Sequence, residues 1–385
     1  MSIDLIINEF ASIAANPKKQ LENFKAAGKK VIGCLPYYTP EELVHAAGMV
    51  PMGMWGSNTK TISLAKEYCA TFYCTIAQIG LEMLLDSTTD LLDGVITPTI
   101  CDTLRPMSQN IRVAMAKLNN KMPTIFLAHP QNRKPAYGLK FCVDQYTNVK
   151  KALEEISGTE ITNEALQETI KIYNRSRAAR RKFVKLASDH CDVITPTKRS
   201  AVLKAAWFML KEDYTEKLEA LNAELEKLPE CDWKGTKVVT SGIICDNPTL
   251  LKIFEDNNVA IAADDVAHES RAFRVDAPED CDDAMMALAL QFANQDYCVL
   301  LYDEQSAENR RGEYVANLVK ESGAQGLVLF MQQFCDPEEM EYPSLKKALD
   351  EAGVLHIKLG VDQQMRDFGQ AATAIQAFAD VLKMS

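Results

Sequence analysis

Short apolar runs alternate with amphipathic stretches in two separate parts of the chain. The first part opens at Lys29, where the run VIGC precedes the helix-like stretch TPEELVHAAG, and further apolar runs follow at VPMGMW, DGVITPTI and MPTIFLAHP. Strands of this length that alternate with helices indicate a parallel sheet. The second part opens at Lys237 with KVVTSGIICDNPTLLKIFEDNNVAI, which repeats the order of strand, loop, capped helix and strand. The pattern therefore predicts two similar parallel-sheet domains.

Two further segments are helical in pattern, one at the amino terminus and one between the predicted sheets. In the second, Leu218, Leu221, Leu225 and Leu228 share one helix face and Pro229 follows them. We therefore predict an α/β fold of two Rossmann-like parallel-sheet domains joined by a helical segment, with an N-terminal helical arm. A chain of 385 residues fits two domains, because a single core rarely grows so large. The predicted arm, first α/β domain, helical segment with linker, and second α/β domain cover residues 1–28, 29–144, 145–236 and 237–385.

Three cysteines, Cys74, Cys101 and Cys335, each stand directly before a predicted helix, the last two just past a strand end. Each precedes a residue that can cap a helix, namely Thr75, Asp102 and Asp336. A helix N-terminus stabilises a thiolate, and the ends of parallel strands form the ligand crevice of such sheets. The three thiolates could therefore form a metal site between the domains. A lone cysteine before a helix is more often a small buried residue, so packing stays an alternative.

Ligand type constrains the metal only weakly. The sequence has no Cys-x-x-Cys pair and no His-Glu-x-x-His motif, which argues against a zinc ribbon or a zincin. Widely separated soft thiolates suit an iron–sulfur cluster, although the dense cysteine spacing of ferredoxins is absent. Neither a G-x-G-x-x-G nor a P-loop motif is present, so a nucleotide-driven step would take place on another protein.

Composition excludes several classes of protein. A net charge of −11 argues against binding to nucleic acid, which requires a basic surface. The chain begins without a signal-peptide pattern and has no apolar run near the ~18 residues of a membrane span, so we expect a cytoplasmic protein. Eleven cysteines, an odd number, fit a reducing compartment. In the basic run NRSRAARRKFVK, around Arg180, we favour a solvated helix face over a docking patch for an anionic ligand or partner.

Other polar residues allow both chemical and structural interpretations. Glu42 could be an acid–base residue, but a capping box with Thr39 explains it without chemistry. His129 ends a strand and has no visible partner, which favours a structural, hydrogen-bonded role. Asp264 and Asp265 also end a strand, and helix capping explains at least one of them.

Several stretches together resemble the beta subunits of the 2-hydroxyacyl-CoA dehydratase and benzoyl-CoA reductase family, over essentially the whole chain. They are GKKVIGCLPYYTPEELVHAAGMVPMGMWG, FYCTIAQ, CDTLRPMSQN, LAHPQNRK, FCDPEEMEYP and GVDQQMRDFGQAATAIQAFAD. The resemblance implies a heterodimer with a related alpha subunit, and a 4Fe-4S cluster bound between two Rossmann-like domains. It implies that Cys74, Cys101 and Cys335 are the ligands. Some members also carry a flavin, FMN or riboflavin, and the resemblance leaves open whether this chain does.

The resemblance also implies a reaction. A separate ATP-hydrolysing iron–sulfur activator would supply one electron, and dehydration would pass through a ketyl radical on a substrate held mainly by the alpha subunit. The expected conversion is (R)-2-hydroxyglutaryl-CoA to glutaconyl-CoA by syn-elimination, with this chain acting in electron transfer. A related substrate, a benzoyl-CoA-reductase-like activity and a metal-free two-domain binding protein are the alternatives. Two cysteines depart from the expected pattern: Cys69 could replace Cys74, and Cys245 could offer a fourth thiolate where a non-protein ligand is expected.

Overall fold

Two four-stranded sheets form the centre of the structure, a computed structural model that describes residues 2–35, 37–55, 61–301 and 310–384. The first sheet contains β1 (Val31–Cys34), β2 (Val50–Gly53), β3 (Gly94–Pro98) and β4 (Thr124–Leu127). The second contains β5 (Thr236–Gly242), β6 (Val259–Val266), β7 (Gly326–Gln332) and β8 (His356–Val361). All neighbouring strands are parallel, in the orders β2-β1-β3-β4 and β6-β5-β7-β8. The predicted α/β fold with two similar parallel sheets is confirmed.

Helices surround both sheets. The helices in the first part of the chain are α1 (Ile3–Ala15), α2 (Pro17–Ala26), α3 (Glu41–Ala46), α4 (Thr75–Leu85), α5 (Met107–Lys117) and α6 (Ala136–Ser157). A short 3₁₀ turn lies at Ala65–Glu67. The connecting segment contains α7 (Asn163–Asp189), α8 (Pro196–Ala205) and α9 (Lys211–Leu225). The second part contains α10 (Pro248–Asp256), α11 (Ser270–Phe273), α12 (Ala284–Ala293), α13 (Arg310–Glu321), α14 (Asp336–Glu351) and α15 (Gly369–Met384). Within the described ranges, every helix is too short or too polar to cross a bilayer.

Apolar side chains fill both faces of each sheet. In the first sheet, Val95 packs with α4 and α5 on one face, while Ile96 packs with α3 and α6 on the other. Helix α12 follows the second sheet's β6 in sequence, yet its Leu288 packs into the core on the α6 side. The two domains are therefore interleaved, and the predicted domain boundaries stay predictions.

The N-terminal arm and the connecting helices share a third core. Phe10 of α1 contacts the ring of Tyr214 at 5.3 Å between centroids, and Phe183 of α7 is buried in the same cluster. The predicted leucine face of α9 is buried at Leu218, Leu221 and Leu225. The helix ends at Leu225, so Leu228 packs from beyond the helix.

The two domains meet at the carboxyl ends of their central strands. Tyr37, which follows β1, donates a hydrogen bond to the carbonyl oxygen of Ile243, which follows β5, at 2.9 Å. Trp55, Ile76 and Cys335 share one buried apolar cluster with these two residues. Since parallel strands direct their loops to this edge, the contact brings the loops of both domains together.

Candidate functional site

Cys74 lies at the start of α4, in the loop that faces the second domain. It is the N-cap residue, with extended backbone at φ −62° and ψ 146°, and its sulfur makes no capping hydrogen bond. Burial raises the pKa of its thiol to about 12, while the nearby N–H groups of Ala77 and Ile76 lower it. These N–H groups are unpaired within the helix, so they favour negative charge on the sulfur.

Cys335 has the corresponding position at the start of α14. It is the N-cap, Asp336 begins the helix and Pro337 follows, so Asp336 is not the predicted cap. Glu339 closes the first turn by accepting a hydrogen bond from the N–H of Phe334 at 3.1 Å. Burial raises the pKa of the Cys335 thiol well above its usual value, and the N–H of Glu338 lowers it.

Cys101 differs from the other two, because no helix begins directly after it. Helix α5 starts only at Met107, so the prediction that Asp102 caps a helix is wrong. Pro106 is the N-cap, and helical backbone is disfavoured for the residue before a proline. Instead a turn forms, in which the N–H of Arg105 donates to the Cys101 carbonyl at 3.0 Å. Burial raises the pKa of the Cys101 thiol, while the N–H groups of Leu104 and Thr103 lower it by a smaller amount.

The three thiols lie close enough to influence one another across the domain contact. The charge of Cys101 raises the pKa of Cys74, although burial has the larger effect. The charges of Cys74 and Cys101 both raise the pKa of Cys335, again after burial. The structure thus brings together the sulfurs that the sequence selected, each beside backbone N–H groups.

Close convergence on one ion is not found. Among the residues that the structure describes, no three His, Cys, Asp or Glu side chains are placed to hold a single metal ion. A cubane cluster needs wider spacing, because each thiolate binds a different iron atom. Three cysteine thiolates are therefore suitable ligands for a cubane cluster. They would bind three of its four iron atoms and leave the fourth for a non-protein ligand.

Thr75 holds the cysteine loop of the first domain to the second domain. Its hydroxyl oxygen accepts hydrogen bonds from the Gln332 side chain at 3.2 Å and from the Gln363 N–H at 3.1 Å. Thr75 is the first helical residue rather than the predicted cap, and Gln78 donates to the Tyr73 carbonyl at 2.6 Å. The hydroxyl is thus used between domains, where a one-domain capping pattern could not reveal it.

Cys69 and Cys245, the two competing cysteines, have other surroundings. Burial raises the pKa of Cys69 to about 11, and its main polar neighbours are Asn110 and Glu82. Cys245 is buried, and the charges that affect its pKa most are those of Glu269 and Asp246. We therefore leave both cysteines outside the candidate ligand set.

The remaining polar candidates have structural roles. Glu42 forms a buried ion pair with Arg177 of α7, so the predicted capping box with Thr39 is wrong. His129 has its pKa lowered to about 4 by burial, and its Nε2 lies 3.0 Å from the Tyr38 carbonyl, which agrees with a structural histidine. Asp264 accepts from the N–H of Ser270, the first residue of α11, at 2.9 Å, but it lies within β6 and the N-cap of α11 is Glu269, so the capping interpretation is wrong.

Sequence reasoning missed the buried Glu338 near the site and considered Asp265 only as a strand-end residue or a helix cap. Glu338 is 2% exposed, and burial raises its pKa to about 7 although Arg271 and Arg311 lower it. Asp265 is fully buried and pairs with Arg271, Arg274 and Arg311. In the sequence, DPEE has the pattern of an exposed first helical turn. The packing of α13 against α14 has no signal in this run.

The basic run on α7 is only partly solvated. Arg175 pairs with Glu219 and Arg181 with Asp276, all at partly exposed positions. Arg177 and Arg180 are each 5% exposed and point into the protein. The predicted solvated face is therefore wrong for these two residues, because α7 passes between α3 and α11.

Comparisons with known proteins identify the family of the chain. The family model described as 2-hydroxyglutaryl-CoA dehydratase, D-component, matches residues 36–382. The beta subunit of (R)-2-hydroxyglutaryl-CoA dehydratase from Acidaminococcus fermentans is 62% identical, over 99% of this chain and 100% of the relative. The beta subunit of (R)-phenyllactyl-CoA dehydratase from Clostridium sporogenes is 44% identical, over 98% and 99%. A benzoyl-CoA reductase subunit from Thauera aromatica is 27% identical, over 92% of each chain.

Proposed function

The chain belongs to the 2-hydroxyglutaryl-CoA dehydratase D-component family, and from this membership we propose that it is the beta subunit of the enzyme that converts (R)-2-hydroxyglutaryl-CoA to glutaconyl-CoA. The choice of substrate is supported by the 62% identity to the Acidaminococcus fermentans subunit over the full length. The observation that supports this site is that Cys74 and Cys101 lie close enough to Cys335, from the other domain, for their charges to raise the pKa of its thiol.

We propose that Cys74, Cys101 and Cys335 bind a 4Fe-4S cluster. Burial holds these thiols protonated in the metal-free protein, and coordination to iron would replace the proton. The N–H groups beside each sulfur would then stabilise the thiolates. When bound, the cluster would supply one-electron transfer between proteins.

The chain's own residues would position and shield this site. The Thr75 hydroxyl fixes the Cys74 loop against the second domain through two hydrogen bonds. Cys335 is 9% exposed, whereas Cys74 and Cys101 are only partly buried. The site therefore lies near the surface on one side, as exchange of electrons with another protein requires.

The proposed partners follow from the family. We propose a related alpha subunit that holds most of the 2-hydroxyacyl-CoA substrate, and an ATP-hydrolysing iron–sulfur activator that donates the electron for ketyl-radical dehydration. A flavin, FMN or riboflavin, stays a prediction for the complex. The eleven free thiols fit a reducing compartment, and we propose the cytoplasm.

An anaerobic reconstitution tests the proposed function. The chain, its alpha subunit, the activator and ATP together should dehydrate (R)-2-hydroxyglutaryl-CoA, and the chain alone should show no turnover. Cys101→Ser should abolish turnover, whereas the control Cys281→Ser, at a thiol that contacts the Asp283 carbonyl at 3.2 Å, should not. Full turnover with Cys101→Ser, or with the chain omitted, would overturn the proposal.

A further inference from the structure

A cavity of about 90 Å³ lies where three parts of the chain meet. Its walls come from α3 and the preceding loop, from α7, and from α11 and α12, so both domains and the connecting segment contribute. The volume is well above the roughly 10–15 Å³ that one water molecule needs. Thr39 and Gln291 in the wall are only partly buried, so the cavity approaches the surface there.

Arg180 of α7 lines this cavity with an unpaired guanidinium group. The residue is 5% exposed, and its Nε donates only a long hydrogen bond, 3.4 Å, to the Ser176 carbonyl. Its Cζ lies 5.0 Å from the centre of the Phe273 ring. Within the described part of the chain, no carboxylate lies at ion-pair distance from it. An arginine keeps its charge at any physiological pH, so this is a buried positive charge without a counter-ion.

The other charges of the wall are already paired. Glu42 forms its ion pair with Arg177, and Glu41 with Lys211 at 2.8 Å. Arg180 therefore represents one excess positive charge in the cavity wall. Burying a charge without a partner is costly, which indicates that a bound anion neutralises Arg180.

Tyr173 supplies a second, independent sign of a missing ligand. Tyr173 lines the same cavity, and its hydroxyl is fully buried and makes no hydrogen bond to any described residue. Buried polar groups are nearly always satisfied, so this donor indicates an acceptor in the cavity. A planar guanidinium and a hydroxyl donor together suit a carboxylate better than a spherical ion.

We propose that this cavity binds a small monocarboxylate, with Arg180 as its counter-ion and Tyr173 as a hydrogen-bond donor. The single excess charge selects a monoanion. The ligand would connect α3 of the first domain, α7 of the connecting segment and α11 of the second domain. None of the three thiols lines the cavity, although Tyr37 of its wall shares an apolar cluster with Cys335, so the carboxylate site can be tested separately from the proposed cluster.

The NMR relaxation rate of ¹³C-acetate tests this site. It is measured in the presence of the anaerobically purified full-length chain in complex with its alpha subunit. At constant ionic strength, acetate should show saturable binding that unlabelled propionate displaces. Arg180→Met should weaken that binding at least tenfold. Arg175→Met, at an exposed arginine of the same helix paired with Glu219, is the matched control and should retain it.

A second variant moves the affinity in the opposite direction. Glu41→Gln removes a negative charge from the cavity wall and frees Lys211, so acetate should bind several-fold more tightly. It also keeps the test decisive if Arg180→Met does not fold. Absence of saturable binding in the wild type, equal affinity of Arg180→Met, or weaker binding by Glu41→Gln would overturn the proposal. Displacement by chloride as efficient as by propionate would overturn the carboxylate assignment.

Discussion

Thr75→Val tests the connection between the domain contact and the cysteine site. Valine has nearly the shape of threonine but cannot accept the hydrogen bonds from Gln332 and Gln363, which are 3.2 and 3.1 Å long. A buried hydrogen bond contributes about 1 kcal/mol net, and an unsatisfied buried donor costs about 1–3 kcal/mol. The Gln332 amide keeps a second acceptor, the Gln333 carbonyl at 3.3 Å, so most of the cost falls on the Gln363 N–H. We expect a loss of about 2 kcal/mol in the free energy of unfolding.

The same variant should loosen the proposed cluster. A cost of about 2 kcal/mol at the domain contact raises the population of the separated state roughly 30-fold, because about 1.4 kcal/mol equals a factor of ten. If iron leaves through this opening, its release to a chelator should accelerate by a similar factor. Thr97→Val is the matched control, since the Thr97 hydroxyl is equally buried but donates to the Ile125 carbonyl within the first sheet, at 3.2 Å. Equal iron-release rates in the two variants would refute the reasoning.

Two further predictions concern a buried ion-pair group and the competing cysteines. Arg199→Met leaves the carboxylates of Asp264 and Glu269 buried without their cation, and urea unfolding should show a loss of about 3–5 kcal/mol. Burial raises the pKa of Glu269 to about 7 in the folded protein, above its unfolded value of about 4.3, so stability from this group falls as pH rises through that window. The loss should therefore be larger at pH 8 than at pH 5, and a larger loss at pH 5 would contradict this sign. Cys69→Ser and Cys245→Ser should retain the wild-type iron content after anaerobic purification, and loss of iron in either would show that the ligand set is incomplete.

The sheets could be predicted from the sequence because parallel strands covered on both faces are continuous apolar runs. VIGC and DGVITPTI have this pattern, and both are buried central strands in the structure. The repeated order of elements predicted a second sheet like the first, and the two strand orders are the same. The packing of α12 against the other domain has no local signal, because it depends on contacts between distant parts of the chain.

The approach of the three cysteines could be predicted from the sequence but not all of the geometry around them, and their role as cluster ligands stays a proposal. Cys74 and Cys335 are N-caps, close to the expected arrangement, whereas Pro106 delays the helix after Cys101. The N–H groups near that sulfur come from a turn instead. A local sequence pattern gives the residue types at a helix start, but the starting residue depends on competition between neighbouring turns.

Buried arginines were the clearest failure of sequence reasoning. A basic run usually lies in solvent, because an isolated charge is costly to bury. On α7 the cost is reduced at Arg177 by an ion pair with Glu42, more than 130 positions away in the chain. No window of sequence around Arg180 contains the information that α3, α11 and α12 close over it.

Iron and sulfide analysis of the anaerobically purified heterodimer tests the central claim most directly. Serine should replace Cys74, Cys101 and Cys335 one at a time. Each single variant should contain about four irons and four sulfides fewer per heterodimer than the wild type. The Cys281→Ser control should keep them all. Iron content that is unchanged in all three variants, or a wild-type complex whose iron belongs to the alpha subunit alone, would contradict the account.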